Sequence, residues 1–473
     1  MDGVENIFND ENTPLLGAQP ESLKRKRTPL PWLQITIMLL LHTCEPISSQ
    51  SIYPYINELV GKLGITGGDE QKIGYYAGFI ESLFFATEAI TVFQWSRTSD
   101  HVGRKPVLIF GMVGTIFSML SVGLSRTFST LVISRCLCGM LNGNIGVIKS
   151  TMGELTDTTN RAEAYALMTV VWALGGTLGP ILGGSLTRPN ERFPKVFTSQ
   201  FWQEYPYFLP CLATSGFVFG NLIITSLFFE ETVNTHKPQA NTLHTPSPPD
   251  SFSERQQNSA GHEGVEIPVR ALLTFPVVIS IANYMTLAFL DISVNALLPL
   301  FFHMPIAMGG LGLNPVSIGY IMGFYGAGTG AFQVLFFSTL VKRFGTRRVF
   351  IMNIATFIPA FLVFPLISLV AKKWGLCIGV WLLVGWLLCM RFFIDTAYGC
   401  IFMHVTESAP NRKSLGAING LAQTAVSSAR AVGPALSTSL FSFSVQYNIL
   451  GGYGVYTALT LLAGLAILLA VRL

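Results

Sequence analysis

Eight ionisable side chains lie inside long apolar stretches of the chain: the acids Glu45, Glu81, Glu88, Asp291 and Asp395, and the arginines Arg135, Arg391 and Arg430. In hydrocarbon each costs at least about 2.5–3.5 kcal/mol, so each needs a partner or a task. Burial favours the protonated form of a carboxylate and a nearby arginine favours the ionised form, so a change in their separation loads or releases a proton. Glu45 is the first candidate to carry that proton. It precedes Pro46 in the polar run from His42 to Gln50, where a bend would turn backbone carbonyls toward a cavity. Arg135 is its expected modulator, and Glu81 and Glu88, seven apart on one helical face, are secondary candidates. Arg391 and Asp395, four apart, are expected to pair within one helix. That leaves Asp291 without a local partner unless Arg430 supplies one, and makes Asp291 a third coupling candidate. The competing reading of Glu45 and Arg135 is a permanent structural ion pair.

The elements that hold these residues follow from composition. Of 473 residues only 12% are charged, half are hydrophobic, and the mean hydropathy is +0.49. Soluble domains carry about 25% charged residues, so the composition excludes a large soluble enzyme and points to a polytopic, all-α membrane protein. A net charge of +4 from 30 basic and 26 acidic residues is no nucleic-acid footprint. The seven cysteines all fall in apolar stretches and read as small buried residues, not as a disulfide or metal framework. His236, His244 and His262 are scattered without ligand spacing, so no metal site is expected. No Gly-Lys-Ser/Thr phosphate loop occurs. Energy is therefore expected from a gradient and not from ATP, with no cofactor and no enzymatic reaction.

At about 20 apolar residues per crossing, the chain divides into twelve spans near 33–55, 73–95, 105–124, 128–149, 163–187, 207–229, 270–300, 316–340, 348–370, 376–404, 415–443 and 453–473. Residues 1–31 form a polar tail with no apolar core, so no cleavable signal peptide is expected. Residues 32–229 and 270–473 form two six-span halves. Residues 230–269, rich in Pro, Ser, Gln, Asn and His, read as a disordered linker between them. With both termini cytoplasmic, 19 basic residues lie inside and eight outside, which sets the orientation. In the tail, Glu11-Asn12-Thr13-Pro14-Leu15-Leu16 matches an acidic dileucine sorting signal.

The halves repeat. Ser99-Asp100-His101-Val102-Gly103-Arg104-Lys105 follows span 2 and Val341-Lys342-Arg343-Phe344-Gly345-Thr346-Arg347 follows span 8, while Gly179-Pro180 in span 5 corresponds to Gly433-Pro434 in span 11. Two six-span repeats joined by a long cytoplasmic linker are the architecture of a rocking transporter. The run from Asp100 to Pro106 resembles the loop 2–3 signature of the major facilitator superfamily, with Ser96 where the family usually has Gly. In that signature Asp100, Gly103 and Arg104 form a conformational gate. Gly175, Gly179, Pro180, Gly183 and Gly184 are similar to the span-5 antiporter signature, with Ala166 in place of a further Gly. Arg135 with Gly139 and Gly143 resembles the span-4 arginine motif of proton-coupled antiporters. Cys44-Glu45-Pro46-Ile47, with Ser428-Ala429-Arg430-Ala431-Val432-Gly433-Pro434, is similar to fungal relatives of plant zinc-induced facilitators and of tetracycline exporters.

The resemblance implies twelve transmembrane helices in two pseudo-symmetric six-helix bundles. It implies a monomeric secondary transporter in the plasma or vacuolar membrane that exchanges a small organic solute for protons. Proton-coupled uptake and a non-transporting receptor are the alternatives.

Overall fold

The computed structural model describes residues 28–142, 144–157, 160–232, 273–408 and 415–473. The sorting signal, the three linker histidines and Gly143 lie outside the described residues. The twelve expected spans all appear as helices, and among the described residues there is no strand. Span 1 is Trp32–Gln50, span 2 Ile73–Val102, span 3 Arg104–Gly123, span 5 Arg161–Ser185 and span 6 Phe208–Phe228. Span 4 is interrupted, as Phe128–Leu141 and Asn144–Leu155. In the second half, span 7 is Phe275–His303, span 10 Ile378–Glu407, span 11 Leu415–Gln446 and span 12 Gly454–Ala470. Span 8 runs from Pro315–Phe332 through a π-helical turn, Gln333–Phe337, into Ser338–Phe344. Span 9 is Thr346–Ala355 followed by Phe357–Trp374.

Seven of these segments are each long and apolar enough to cross a membrane unaided, and the bent pair Glu70–Val92 and Gln94–Val102 makes an eighth. Span 5 is an apolar helix over Val170–Ser185. Spans 1 and 11 carry polar and small residues because they pack against protein on several sides, where hydrocarbon imposes no apolar surface. Span 12 has 17 helical residues, at the lower limit for a crossing.

The repeat is visible in the packing. Spans 1 and 5 are neighbours, as are 7 and 11; spans 3 and 6 pair, as do 9 and 12; spans 2 and 4 pair, as do 8 and 10. The seam between the halves is made by span 2 against span 11 and span 5 against span 8, two contacts that a six-span exchange interconverts. The loops after spans 2 and 8 also share a backbone. Gly103 (φ 108°, ψ 157°) and Gly345 (φ 80°, ψ 155°) occupy the same glycine-favoured region and each starts the next helix.

An even number of spans brings residue 28 and residue 473 to one side, called here the terminal side. The halves meet most tightly toward the opposite, far side. A Cβ on Gly184 would lie 2.9 Å from the Gly319 Cα, and one on Gly74 2.7 Å from the Thr438 carbonyl. At Pro434 the backbone N–H of Ala435 donates across the seam to Ser82 Oγ at 2.9 Å. The glycine stripe of span 5 serves two neighbours. Gly175, Gly179 and Gly183 abut Pro46, Gln50 and Ser51 of the span 1 region, and Gly184 and Gly176 abut span 8. Close backbone approach of this kind is what small residues supply in a membrane interior. Ser96, where the resemblance led one to expect Gly, packs beside Gly146, on which a Cβ would make ordinary contact with the Ser96 side chain at 3.6 Å.

Candidate functional site

The two halves bring charged groups together at mid-depth along the seam. Span 1 contributes Glu45 and span 2 contributes Glu88. The break in span 4 places Asn142 beside both, with its Nδ2 donating to Glu88 Oε1 at 3.4 Å. Lys149, one turn into the second piece of span 4, lies within electrostatic reach of Glu45 and Glu88, and its Nζ donates to Gln423 Oε1 of span 11 at 3.2 Å. Arg430 of span 11 completes the group, facing Glu45 and Glu88 on one side and Tyr398, Tyr284 and Asp291 on the other. A cavity with about 10 Å³ of water-accessible space, lined by Glu45, Asn142, Asn144 and Thr115, adjoins the group. That is about the volume one water needs.

Lys149 is a residue that sequence reasoning misassigned. Counted with the terminal-side loop charges, it belongs to the interior, because the helix continues to Leu155 and the flexible four-carbon stem carries the amine back to the carboxylates. The polar residues Asn142 and Asn144 just before it were the available signal. With Lys149 included, the interior charges are Glu45, Glu81, Glu88, Asp291 and Asp395 against Arg135, Lys149, Arg391 and Arg430. Acids exceed bases by one.

The expected partnership of Glu45 with Arg135 is replaced by a different pairing. Arg135, 3% exposed, faces Glu81 and lies over the Phe84 ring at 4.7 Å. Glu81 accepts a hydrogen bond from the Tyr53 hydroxyl. Tyr53 reaches it because span 1 stops at Gln50 and the chain turns through Ser51–Tyr55 before the short helix Ile56–Lys62. The cations that face Glu45 are Arg430 and Lys149. Two helical turns of difference in depth between Glu81 and Glu88, plus the opposed course of span 4, separate two sites where sequence suggested one.

In the second half Asp291 does have a partner within its own bundle. Arg391 Nη2 lies 3.0 Å from Asp291 Oδ1 and donates to Asn295 Oδ1 at 3.1 Å, while the Tyr398 hydroxyl donates to Asp291 Oδ2 at 2.9 Å. The expected intrahelical pair is long, 4.0 Å from Arg391 to Asp395. Asp395 is held instead by Tyr325 and by Thr329 Oγ1 at 2.9 Å, both from span 8. The Tyr325 hydroxyl also takes Arg391 Nε at 3.1 Å, so spans 7, 8 and 10 share one polar network. Tyr398, hydrogen-bonded to Asp291 and in contact with Arg430, joins that network to the seam.

On the terminal side Asp100 pairs with Arg104 at 2.7 Å, and Arg104 pairs with Glu154 at the end of span 4, also at 2.7 Å. A residue that sequence reading left in the disordered linker closes this network. The backbone N–H groups of Arg104 and Lys105 donate to the two carboxylate oxygens of Glu231 at 2.8 and 2.9 Å. Glu231 thus caps span 3 at its N-terminus, where the helix dipole favours an anion. A Cβ on Gly103 would lie 2.7 Å from Glu231 Oε2, which is a second reason for glycine there. Residues 230–232 are therefore docked to the first half and do not belong to a free linker.

On the far side Glu58 gathers Lys62 Nζ at 2.9 Å, the Tyr207 hydroxyl at 2.7 Å and the Arg188 guanidinium, with Nε at 2.8 Å. Burial opposes its charge, yet the hydrogen bonds from Lys62, Tyr207 and Arg188 outweigh it and hold the Glu58 carboxyl below the usual carboxylate value.

Twelve helices in two equivalent halves, with paired charges and polar side chains buried along the seam between them, define a membrane carrier of the secondary-transporter class. The chain belongs to the Major Facilitator Superfamily, whose family model matches residues 38–434. It is similar to the efflux pump azaK of Aspergillus niger, 28% identical over 98% of this chain and 94% of that one. It is also similar to ZINC INDUCED FACILITATOR 1 of Arabidopsis thaliana, 28% identical over 90% of this chain and 88% of that one. Among solved structures, the human organic anion transporter MFSD10 (TETRAN) superposes with a TM-score of 0.63 at 18% identity, covering 94% of this chain and all of that one. The expected family, the relation to fungal efflux proteins and plant facilitators, and the all-helical multi-pass fold are thereby established.

Proposed function

We propose that the protein is a proton-coupled antiporter that exports or sequesters a small organic solute by alternating access. The halves 32–229 and 270–473 would rock about the seam. Both termini would face the cytoplasm, and the membrane would be the plasma or vacuolar membrane. The observation that carries the reading is the buried group at the seam: Glu45 and Glu88 from one half within electrostatic reach of Arg430 from the other, with Lys149 beside them and hydrogen-bonded across the seam to Gln423. Carboxylates whose counter-charge sits on the opposite moving body change proton affinity as the bodies part. The likeness to an efflux pump favours export. The small-residue contacts of Gly183 and Gly184, one on the partner span of the same half and one across the seam, support rigid halves that pivot.

Proteoliposomes with a trapped pH indicator test the coupling. Fractions of a cellular metabolite extract are added outside; a transported fraction shifts luminal pH for the wild-type protein and fails to do so for Glu45→Gln. Solute flux that ignores an imposed pH gradient, or equal proton movement in Glu45→Gln, rejects the reading.

A further inference from the structure

The terminal-side faces of the two halves balance their charge differently. In the first half the basic loop after span 2 is neutralised from within: Arg104 pairs with Asp100 and Glu154, and Glu231 receives the N–H groups of Arg104 and Lys105. The corresponding loop of the second half, Lys342-Arg343-Phe344-Gly345-Thr346-Arg347-Arg348, has four basic residues and no acid. No Asp or Glu occurs between Asp291 and Asp395, and those two are interior, held by Arg391 and by span 8. Of the acids in residues 273–473 only Glu407, at the end of span 10, remains. Spans 9 and 12 pack together, and the Arg347 guanidinium donates to the Val471 carbonyl, which brings Arg472 to the same end. Lys342, Arg343, Arg347, Arg348 and Arg472 are all exposed, and among the described residues none of them makes an ion pair. The patch borders an apolar belt. Arg343 lies over the Phe344 ring at 5.5 Å, while Met352 of span 9 and Leu468 of span 12 are 55% and 66% exposed. Met352 follows Arg347 by about 7.5 Å of helix, and Leu468 precedes Arg472 by about 6 Å. The polar layer on each side of a bilayer is about 5–8 Å thick, so the basic groups stand at the level of lipid headgroups.

We propose that the terminal-side end of spans 8, 9 and 12 is a docking surface for anionic phospholipid. Phosphate groups of the adjoining leaflet supply the negative charge there that Asp100, Glu154 and Glu231 supply within the first half. Arginine guanidinium binds phosphate through two parallel N–H donors, and the exposed Met352 and Leu468 continue the surface into the acyl region. In the orientation proposed above the leaflet is the cytoplasmic one, whose anionic lipids attract basic segments next to a span. The surface does not depend on whether the protein exchanges protons.

Native mass spectrometry of the purified full-length protein, released from detergent containing equimolar dioleoylphosphatidylglycerol and dioleoylphosphatidylcholine, counts the lipid it retains. The wild type should retain the anionic lipid preferentially. Each basic residue near an anionic surface is worth about fivefold in affinity, so Arg343→Gln/Arg348→Gln should lower the preference by up to about 25-fold. Arg343→Lys/Arg348→Lys should keep most of it. Lys372→Gln/Lys373→Gln, which removes the same charge from the far end of span 9, should change it less. Equal retention of the two lipids by wild type overturns the proposal, as does a loss in Arg343→Gln/Arg348→Gln no greater than in the far-side variant. Displacement of the lipid by inorganic phosphate would mark a small-anion site and overturns it too. Should the double variant fail to fold, Arg348→Gln alone decides, with a loss of about fivefold expected and an unchanged preference counting against the surface.

Discussion

Arg391 Nη2 lies 3.0 Å from Asp291 Oδ1 and 4.0 Å from Asp395 Oδ1, so the arginine of span 10 spends its charge on span 7 and not on the carboxylate one turn along its own helix. Span 8 is drawn in as well, since Tyr325 binds the same guanidinium, and Asn295 adds a second contact from span 7. The network ties three helices of the second half into one body, which is what a rocking element requires.

Removing Asp291 alone leaves Arg391, 1% exposed, without its nearest counter-charge. Breaking a buried pair from one side costs about 3–5 kcal/mol. Asp291→Asn should therefore lower the thermal unfolding midpoint of the detergent-solubilised protein clearly, and Asp291→Asn/Arg391→Gln should recover part of the loss. Equal midpoints for wild type and Asp291→Asn would show that Asp395 and Tyr325 suffice.

Glu231→Ala removes the carboxylate that receives the N–H groups of Arg104 and Lys105. Loss of a helix cap costs about 0.5–2 kcal/mol. The expected result is a lower midpoint together with faster proteolysis in the loop after span 2, and Glu231→Gln should fall between the two because its amide oxygen still accepts one bond. Unchanged proteolysis in Glu231→Ala would remove the capping role.

Two glycines should respond oppositely to the same change. A methyl at Gly183 would run into the Ser51 carbonyl, whereas one at Gly220 of span 6 meets nothing within 4 Å. Gly183→Ala should reduce the yield of folded protein by forcing spans 1 and 5 apart. Gly220→Ala should be neutral or stabilising by up to about 1 kcal/mol, as expected for removing a helix-interior glycine. Yield and midpoint measured side by side give the comparison.

Glu58 makes stability depend on pH at the far side. Its folded value lies below the unfolded one, so its contribution is full above the unfolded carboxylate value, about 4.3, and is lost as pH falls through the folded value. At pH 7 Glu58→Gln should be less stable than wild type, by about 1–3 kcal/mol for a buried hydrogen-bonded group. The gap should close on acidification, as wild type loses what the variant never had. A constant gap from neutral to strongly acid pH would exclude Glu58 as its source.

Much of the fold was legible in the residues themselves. Apolar runs long enough to cross a bilayer, the polar break before span 7 and the Gly-centred loops after spans 2 and 8 follow from local sequence, because a helix in hydrocarbon must satisfy its own backbone and a tight turn needs glycine. The list of interior acids and arginines was equally legible, since an ionisable residue within an apolar run is conspicuous. Lys149 escaped notice because it stands near a helix end, where a lysine normally reaches water, and Glu231 because a carboxylate after a span carries no local mark of what it will cap.

Pairing was decided only by the tertiary structure. Glu45 faces Arg430 and Lys149, Glu81 faces Arg135, and Asp291 takes Arg391 from a residue one turn away. Sequence spacing reports which residues share a face of one helix. Which helices adjoin, at what depth, and which half carries each charge depend on how the small-residue stripes of spans 2, 5, 8 and 11 let backbones approach. Side-chain electrostatics acts over a few ångströms, so partners separated by a hundred residues are chosen by that packing and by nothing in the local sequence.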